Sequence, residues 1–387
     1  MSVVDSETDI TSIRSPIDLQ SLERYFSAAQ PSTGTTLGPN VSWNFIQTPL
    51  IVKQFSFGQS NPTYLITDYT GKQLVLRRKP GPNKSLASKT AHAVEREFFL
   101  MAGLKHVDRN AKVPQMYMLC EDESVVGAVF YVMEFIKGRI FHDPAMPSLG
   151  ETEKRACWKS AVEAVAEIHQ MPAEKLIAAI PGLYFHVSKD TNYFQRQVSG
   201  LSRVAAKQSE YVDPIPGFED TCKYLMENCP KMDKLTLIHG DFKIDNMIFH
   251  PTEPRVLAML DWELCTFGHP LFDLANLLQP YSIPERIWAN FQSSAVREDP
   301  KWVDEVLLLY ERTNPEYANG GLKKYFTSGI VFGIFRVSVI IQGIAMRSKL
   351  GKASSARAAE VAKSYKPFGQ YAADLARGNT ANSKARL

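Results

Sequence analysis

The stretch Leu237-Ile238-His239-Gly240-Asp241-Phe242-Lys243-Ile244-Asp245-Asn246-Met247-Ile248-Phe249, closed by Leu260-Asp261-Trp262-Glu263, decides how this chain is read. Short apolar β-like runs, Leu235 to His239, Met247 to His250 and Val256 to Leu260, set off three polar residues. These are a carboxylate at Asp241, an amide five residues later at Asn246, and a second carboxylate at Asp261, 20 residues after the first. Singly, each has an ordinary structural use, since Asp caps helices and Asn fills left-handed positions. Jointly they carry the spacing of a phosphoryl-transfer loop. In that reading Asp241 accepts or orients a hydroxyl proton, Asn246 and Asp261 are candidate magnesium ligands, and Lys243 meets the transferring phosphate. Hard magnesium takes oxygen ligands, and charge spread over a phosphoryl group must be met by fixed positive groups.

Upstream, β-rich runs at Ile51 to Phe57, Thr63 to Asp68 and Lys72 to Arg77 form a meander. The turn Gly58-Gln59-Ser60-Asn61-Pro62 separates the first two. Its backbone N–H groups and the Ser60 hydroxyl are placed to cover ATP phosphates, with Gly58, Ser60 and Asn61 as candidate contacts; an ordinary hairpin turn is the alternative. Alternation in Leu74 to Arg77 puts Val75 and Arg77 on one face, so Arg77 can point into a cleft. A polar loop, Lys79 to Lys89, leads to a helix near Ala91 to Leu104, and Ser124 to Glu134 supplies one or two more strand segments. Glu134, Phe135 and Ile136 then follow the last strand, where backbone groups can bind adenine edges.

Helical spacing predicts a short docking helix in Ile17 to Gln30 and a long one from Glu151 to His169. Helices dominate from there to Ala376. The apolar stretch Gly329 to Met346 carries Arg336 and Gln342 and reads as a buried core helix rather than a membrane span. The expected organisation is an N-terminal tail and docking helix (1–40), a β-rich ATP-binding lobe (41–134), a helical catalytic and acceptor lobe (135–376) and a flexible tail (377–387).

At 387 residues, 44% hydrophobic and 22% charged, the chain has the composition of a folded soluble protein of two or three units. A net charge of +3, evenly spread, argues against nucleic acid as a partner. Five scattered cysteines without CxxC spacing argue against a disulfide framework or a structural zinc site. Met1 to Pro16 lacks the apolar core of a secretory signal. Ala385-Arg386-Leu387 has the small, basic, leucine pattern of the C-terminal S-K-L address, which implies peroxisomal localisation through an import receptor; without that address the expectation is cytoplasmic.

His239-Gly240-Asp241 with Asn246 and Asp261-Trp262-Glu263 resembles the aminoglycoside phosphotransferase and choline kinase superfamily over most of the chain. Phe57 to Tyr64, Val75-Leu76-Arg77-Arg78-Lys79-Pro80 and His92-Ala93-Val94-Glu95-Arg96-Glu97-Phe98 are similar to the kinase-like domain fused to some acyl-CoA dehydrogenases. Only the kinase-like part is expected here. The resemblance implies an α+β, protein-kinase-like bilobal fold, a small antiparallel β lobe plus a larger mainly helical lobe, using ATP and Mg2+. It implies Arg77 in the usual lysine position, paired to Glu97, with Glu95 as rival partner. It implies a small-molecule hydroxylated acceptor, a hydroxyacyl-CoA in the dehydrogenase-linked group. A choline- or aminoglycoside-type kinase and a non-catalytic nucleotide-binding protein are the alternatives, the latter suggested by Arg77. Gly268 to Ala275 resembles the segment after the metal aspartate, with His269 where many members have Asp and Asp273 read as a buried strut. Cys265, four residues before His269, is read as packing rather than as a nucleophile.

Overall fold

The computed structural model describes residues 4–5, 10–11, 15–55, 61–80, 94–184, 192–231, 234–284, 287, 299–317, 321–352 and 358–378. Gly58, Ser60, the start of the His92 to Phe98 motif and the terminal Ala385-Arg386-Leu387 lie outside these residues.

The chain runs β1 (Val4–Asp5), β2 (Ile10–Thr11), α1 (Leu19–Ser27), β3 (Thr35–Leu37), β4 (Ile51–Phe55), β5 (Thr63–Thr67), β6 (Gln73–Arg78), α2 (Val94–Val107), β7 (Met116–Cys120) and β8 (Phe130–Glu134). Strands β2 to β8 make a seven-stranded sheet in the order β2-β4-β5-β6-β8-β7-β3, antiparallel at every pairing. Its two faces follow the period of two. Tyr64, Ile66, Leu74, Leu76 and Val132 pack under α1, whose Leu22, Tyr25 and Phe26 close a small core of their own. Val75, Tyr131 and Met133 face the other way, toward α2 and the cleft. Asp18 caps α1 by accepting the Ser21 N–H at 2.9 Å, which supports a helix of only 9 residues. Three strands of this sheet are absent from the sequence reading: Met116–Cys120, five residues with no polar alternation, and Ile10–Thr11 and Thr35–Leu37, too short to show a period. The stretch Ser124 to Glu134 yields one strand, not two, because residues 122–128 form a turn tied by Ser124 N–H to the Asp122 carboxylate at 2.9 Å.

The helical lobe follows as β9 (Arg139–Ile140), α3 (Glu151–His169), α4 (Ala173–Ala179), α5 (Tyr193–Ser209), α6 (Phe218–Asn228), β10 (Thr236–Ile238), β11 (Met247–Phe249), β12 (Val256–Met259), β13 (Thr266–Gly268) and α7 (Leu271–Ser282), with further helices at Pro300–Thr313, Phe326–Lys349 and Tyr365–Ala376. The spacing of Trp158, Ala161, Val162, Val165 and Ile168 turns one buried face of α3 inward, as expected. Helix Phe326–Lys349 is long and apolar enough to cross a membrane, yet most of it is buried, packed against α7 and Tyr365–Ala376. Gly138, at the start of the helical lobe, touches the β11 strand so closely that a Cβ there would lie 2.2 Å from the Phe249 carbonyl oxygen. Two small antiparallel pairs, β11–β12 and β10–β13, carry the decisive stretch at the mouth of the cleft.

Candidate active site

The loop between β10 and β11 is shaped by its buried neighbours. Gly240 has φ +84°, and a Cβ there would sit 2.2 Å from the Leu264 carbonyl oxygen, so the position requires glycine. The His239 ring packs on Trp262 with centroids 4.5 Å apart. Its Nε2–H donates to the Leu260 carbonyl at 2.9 Å, leaving Nδ1 to accept the Asp241 N–H at 3.3 Å. Beneath it, the fully buried Asp273 of α7 accepts the N–H of His239 at 2.6 Å on Oδ2 and that of Gly240 at 3.0 Å on Oδ1. His169 adds a third bond to Asp273 at 3.1 Å and accepts from the Tyr310 hydroxyl at 2.8 Å. Asp273 is therefore a strut under the loop, as its place at the helix start suggested.

Above the strut the loop brings together the polar residues singled out in the sequence. Asn246 spends its Nδ2 on Asp241, donating to the backbone carbonyl at 2.9 Å and to Oδ2 at 3.3 Å, which leaves the Asn246 Oδ1 lone pairs for something else. The Lys243 ammonium stands 3.6 Å from Asp241 Oδ2 and 3.3 Å from Asp245 Oδ2. Burial alone would lower its pKa, but Asp245 and Asp241 outweigh burial and hold it raised. Asp245 is pushed up by burial, against the pull of Lys243. The Leu260 N–H donates to the Asn246 carbonyl at 2.8 Å, so the hairpin register itself fixes Asp261 beside Asn246.

Asp261 has φ 66° and ψ 61°, a left-handed position in which Asp is among the few comfortable side chains. Its Oδ1 accepts from Arg77 Nη2 at 2.9 Å. The same guanidinium lies 3.4 Å from Glu97 Oε2 through Nε and 3.9 Å from Glu263 Oε2 through Nη2. The rivalry between the two helix glutamates is thereby resolved by helix phase: Glu97 faces Arg77, while Glu95 pairs with Lys79. Glu97 Oε1 also accepts the Trp262 N–H at 3.2 Å. Burial raises the Glu97 pKa and Arg77 opposes it; Arg77, despite burial that works the other way, is raised by Glu97 and Asp261. Sequence reasoning did not single out Glu263 for this cluster, although the turn at Asp261 brings a residue two positions on back to the same guanidinium.

These groups line one wall of a cavity of about 190 Å³ between the lobes. Its apolar part is built by Val75, Met133, Phe135, Ile248 and Leu260, and Phe55 stacks on Phe135 at 6.4 Å. Its polar end holds Arg77, Glu97, Asp245, Asn246 and Asp261. Glu134 and Ile136 line the cavity at the lobe connection, and the Glu134 carboxylate turns to accept the Gln115 N–H at 3.0 Å. An apolar slot ending in oxygens and a guanidinium suits a flat base joined to phosphates. Asn61 is buried with neither amide atom hydrogen-bonded. Cys265 is buried and its thiol is pushed up to about 12, chiefly by burial, which fits packing.

Among the described residues no three or more His, Cys, Asp or Glu side chains are arranged to hold a metal. Magnesium fits the site all the same, because it takes one or two protein oxygens and completes its shell with water and phosphate. Asp261 and Asn246 each keep an oxygen lone-pair set at the polar end of the cavity, and three carboxylates there face a single guanidinium.

Residues 51–314 match the family model described as "Phosphotransferase enzyme family". The chain is 36% identical over 372 residues to acyl-CoA dehydrogenase family member 11 of Gallus gallus, covering 93% of this chain and 44% of the relative. It is 35% identical to acyl-CoA dehydrogenase family member 10 of Mus musculus over 85% of this chain and 29% of the relative. The chain thus spans less than half the length of these curated relatives. Among solved structures, a protein from Ralstonia eutropha JMP134 classed with the aminoglycoside phosphotransferases superposes with a TM-score of 0.73 at 31% identity, covering 94% of this chain and 99% of its own. An aminoglycoside phosphotransferase solved with streptomycin and ATP superposes with a TM-score of 0.55 at 15% identity, over 85% of this chain and 93% of its own, a likeness of fold.

Proposed function

The chain belongs to the phosphotransferase enzyme family and is similar to part of acyl-CoA dehydrogenase family members 10 and 11, and from that premise we propose an ATP- and magnesium-dependent kinase acting on the hydroxyl of a small molecule. The observation that carries this reading is the placement of Asn246 and Asp261 at one end of an apolar interlobe slot, with Asp241 bonded to Asn246 from behind.

Asp241 orients the acceptor hydroxyl and takes its proton as the oxygen attacks the γ-phosphorus. An O–P bond forms to the acceptor, the bond between the γ-phosphorus and the β,γ-bridging oxygen breaks, and ADP leaves. Positioned proton transfer of this kind is worth roughly 10²- to 10⁴-fold in rate. Lys243, held charged by Asp241 and Asp245, supplies positive charge to the moving phosphoryl group. Val75, Met133, Ile248 and Leu260 grip the base, and the Glu134 to Ile136 backbone reads its edge. Asn246 and Asp261 would hold magnesium, which neutralises β- and γ-phosphate charge when bound.

For the acceptor, a hydroxyacyl-CoA is the reading favoured by the dehydrogenase-linked relatives. The experiment incubates purified protein with ATP, Mg2+ and, in separate tubes, a hydroxyacyl-CoA, choline or an aminoglycoside, and follows products by mass. A gain of one phosphoryl group on the hydroxyacyl-CoA alone supports the reading. Transfer only to choline or an aminoglycoside overturns this acceptor, and nucleotide binding with no transfer to any of the three favours a non-catalytic role. Peroxisomal delivery through Ala385-Arg386-Leu387 belongs to the same reading, and a tagged chain lacking those residues should lose it.

A further inference from the structure

The guanidinium of Arg77 does more than stand where a lysine would. Its Nε faces Glu97 on the small lobe at 3.4 Å, while Nη2 faces Asp261 at 2.9 Å and Glu263 at 3.9 Å on the large lobe. Two separate nitrogens are used for the two lobes. A lysine ammonium is one point at the end of a flexible stem and cannot occupy both places at once.

The grip on Asp261 is one-sided. Oδ1 takes the Arg77 hydrogen bond, and Oδ2 has no hydrogen-bonding partner among the described residues, on a side chain 36% exposed at the polar end of the cavity. Arg77 itself is nine-tenths buried, and its Nε and Glu97 Oε2 are buried without a well-formed hydrogen bond. The cluster is therefore held by charge from three sides, with one short bond, the one to Asp261.

We propose that Arg77 is a positioning residue for the metal aspartate: clamped between Glu97 and Glu263, it holds Asp261 Oδ1 so that Oδ2 is presented to the divalent cation, and Glu263 serves to aim Arg77. This rests on the phosphotransfer reading above and assigns Arg77 to the metal ligand first and to the nucleotide phosphates second.

The test measures two affinities on the full chain by calorimetry: ATP in the presence of EDTA, and Mg2+ for the protein saturated with the non-hydrolysable nucleotide AMP-PNP. Arg77→Lys, which keeps the charge but not the fork, should weaken Mg2+ at least 10-fold while changing metal-free ATP affinity less than threefold. Glu263→Gln should weaken Mg2+ in the same direction by a smaller factor, and the double variant should lose less than the product of the two. Glu263 lies at the rim of the cluster, so its variant keeps the test alive if Arg77→Lys fails to fold. Loss confined to metal-free ATP, unchanged Mg2+ affinity, or tighter Mg2+ would each overturn the proposal, the last by showing that Arg77 competes with the cation. Failure of the unaltered protein to bind ATP under either condition would instead remove the kinase reading itself.

Discussion

Asp273 on α7 accepts the backbone N–H of His239 at 2.6 Å, and its second oxygen takes the neighbouring Gly240 N–H at 3.0 Å. One buried carboxylate thus sets the path of the loop without touching the cleft. Asp273→Asn would turn an amide donor toward backbone donors, leaving buried N–H groups unmatched at a cost of about 3 kcal/mol. A urea midpoint well below that of the unaltered protein is expected; an unchanged midpoint would contradict the strut role.

Asp241→Asn should cut phosphoryl transfer by roughly 10²- to 10⁴-fold while leaving ATP affinity within a few-fold, because the lost group acts on the acceptor proton. Single-turnover rates together with nucleotide titration check this. Turnover at the original rate would remove Asp241 from the proposed role.

Asp261→Asn separates chemistry from folding. Asn tolerates the left-handed backbone at φ 66°, and one fewer carboxylate beside Glu97 and Glu263 relieves like-charge repulsion. The thermal midpoint should therefore stay level or rise, while the Mg2+ needed for half-maximal transfer increases at least 10-fold. A variant that unfolds would show that the Arg77 ion pair is needed for the fold.

Gly240→Ala forces a side chain into φ +84° and toward the Leu264 carbonyl oxygen. The backbone conformation alone costs about 1–2 kcal/mol, and the contact adds to it. Chemical denaturation should show that loss, accompanied by a disproportionate fall in transfer rate because the displaced loop carries Asp241.

His269 is buried between Phe194 and Tyr317, and burial, with a smaller contribution from the neighbouring His169, pushes its pKa down to about 4. Its unfolded value is 6.5, so the unfolded chain binds a proton that the folded one refuses. The stabilising contribution is complete above about pH 6.5 and is lost as pH falls toward 4, by about 3 kcal/mol in all. Comparing unfolding free energies of the unaltered protein and His269→Gln from pH 7 to pH 4 should show a shallower acid limb in the variant; parallel curves would refute it.

The chemical triad was legible because its spacing is dictated by a short hairpin: Asn246 and Leu260 are joined by one backbone bond, so the separation of Asp241 and Asp261 is nearly forced. Helix α3 was legible because one buried stripe recurs through all its turns. Strand β7 was not, since Met116 and Leu119 enter one core and Met118 and Cys120 another, and a strand buried on both faces shows no alternation. Nor was the part played by Arg96, which lies within a quoted motif but donates to the Glu263 carbonyl at 3.2 Å and to the Cys265 carbonyl, bracing α2 against the turn that follows Asp261. Contacts across 167 positions leave no periodic trace.

The missing side chain at Gly138 has a mechanical corollary. With no room for a Cβ between it and the strand that follows the Asp241 loop, the neck joining the two halves packs directly on that strand, and sliding along it would have to displace the Phe249 carbonyl. Any opening and shutting of the cleft should then swing about this contact, with the smallest excursions beside Ile248. Any bulkier residue at 138 would have to push the neck away from the Phe249 carbonyl oxygen.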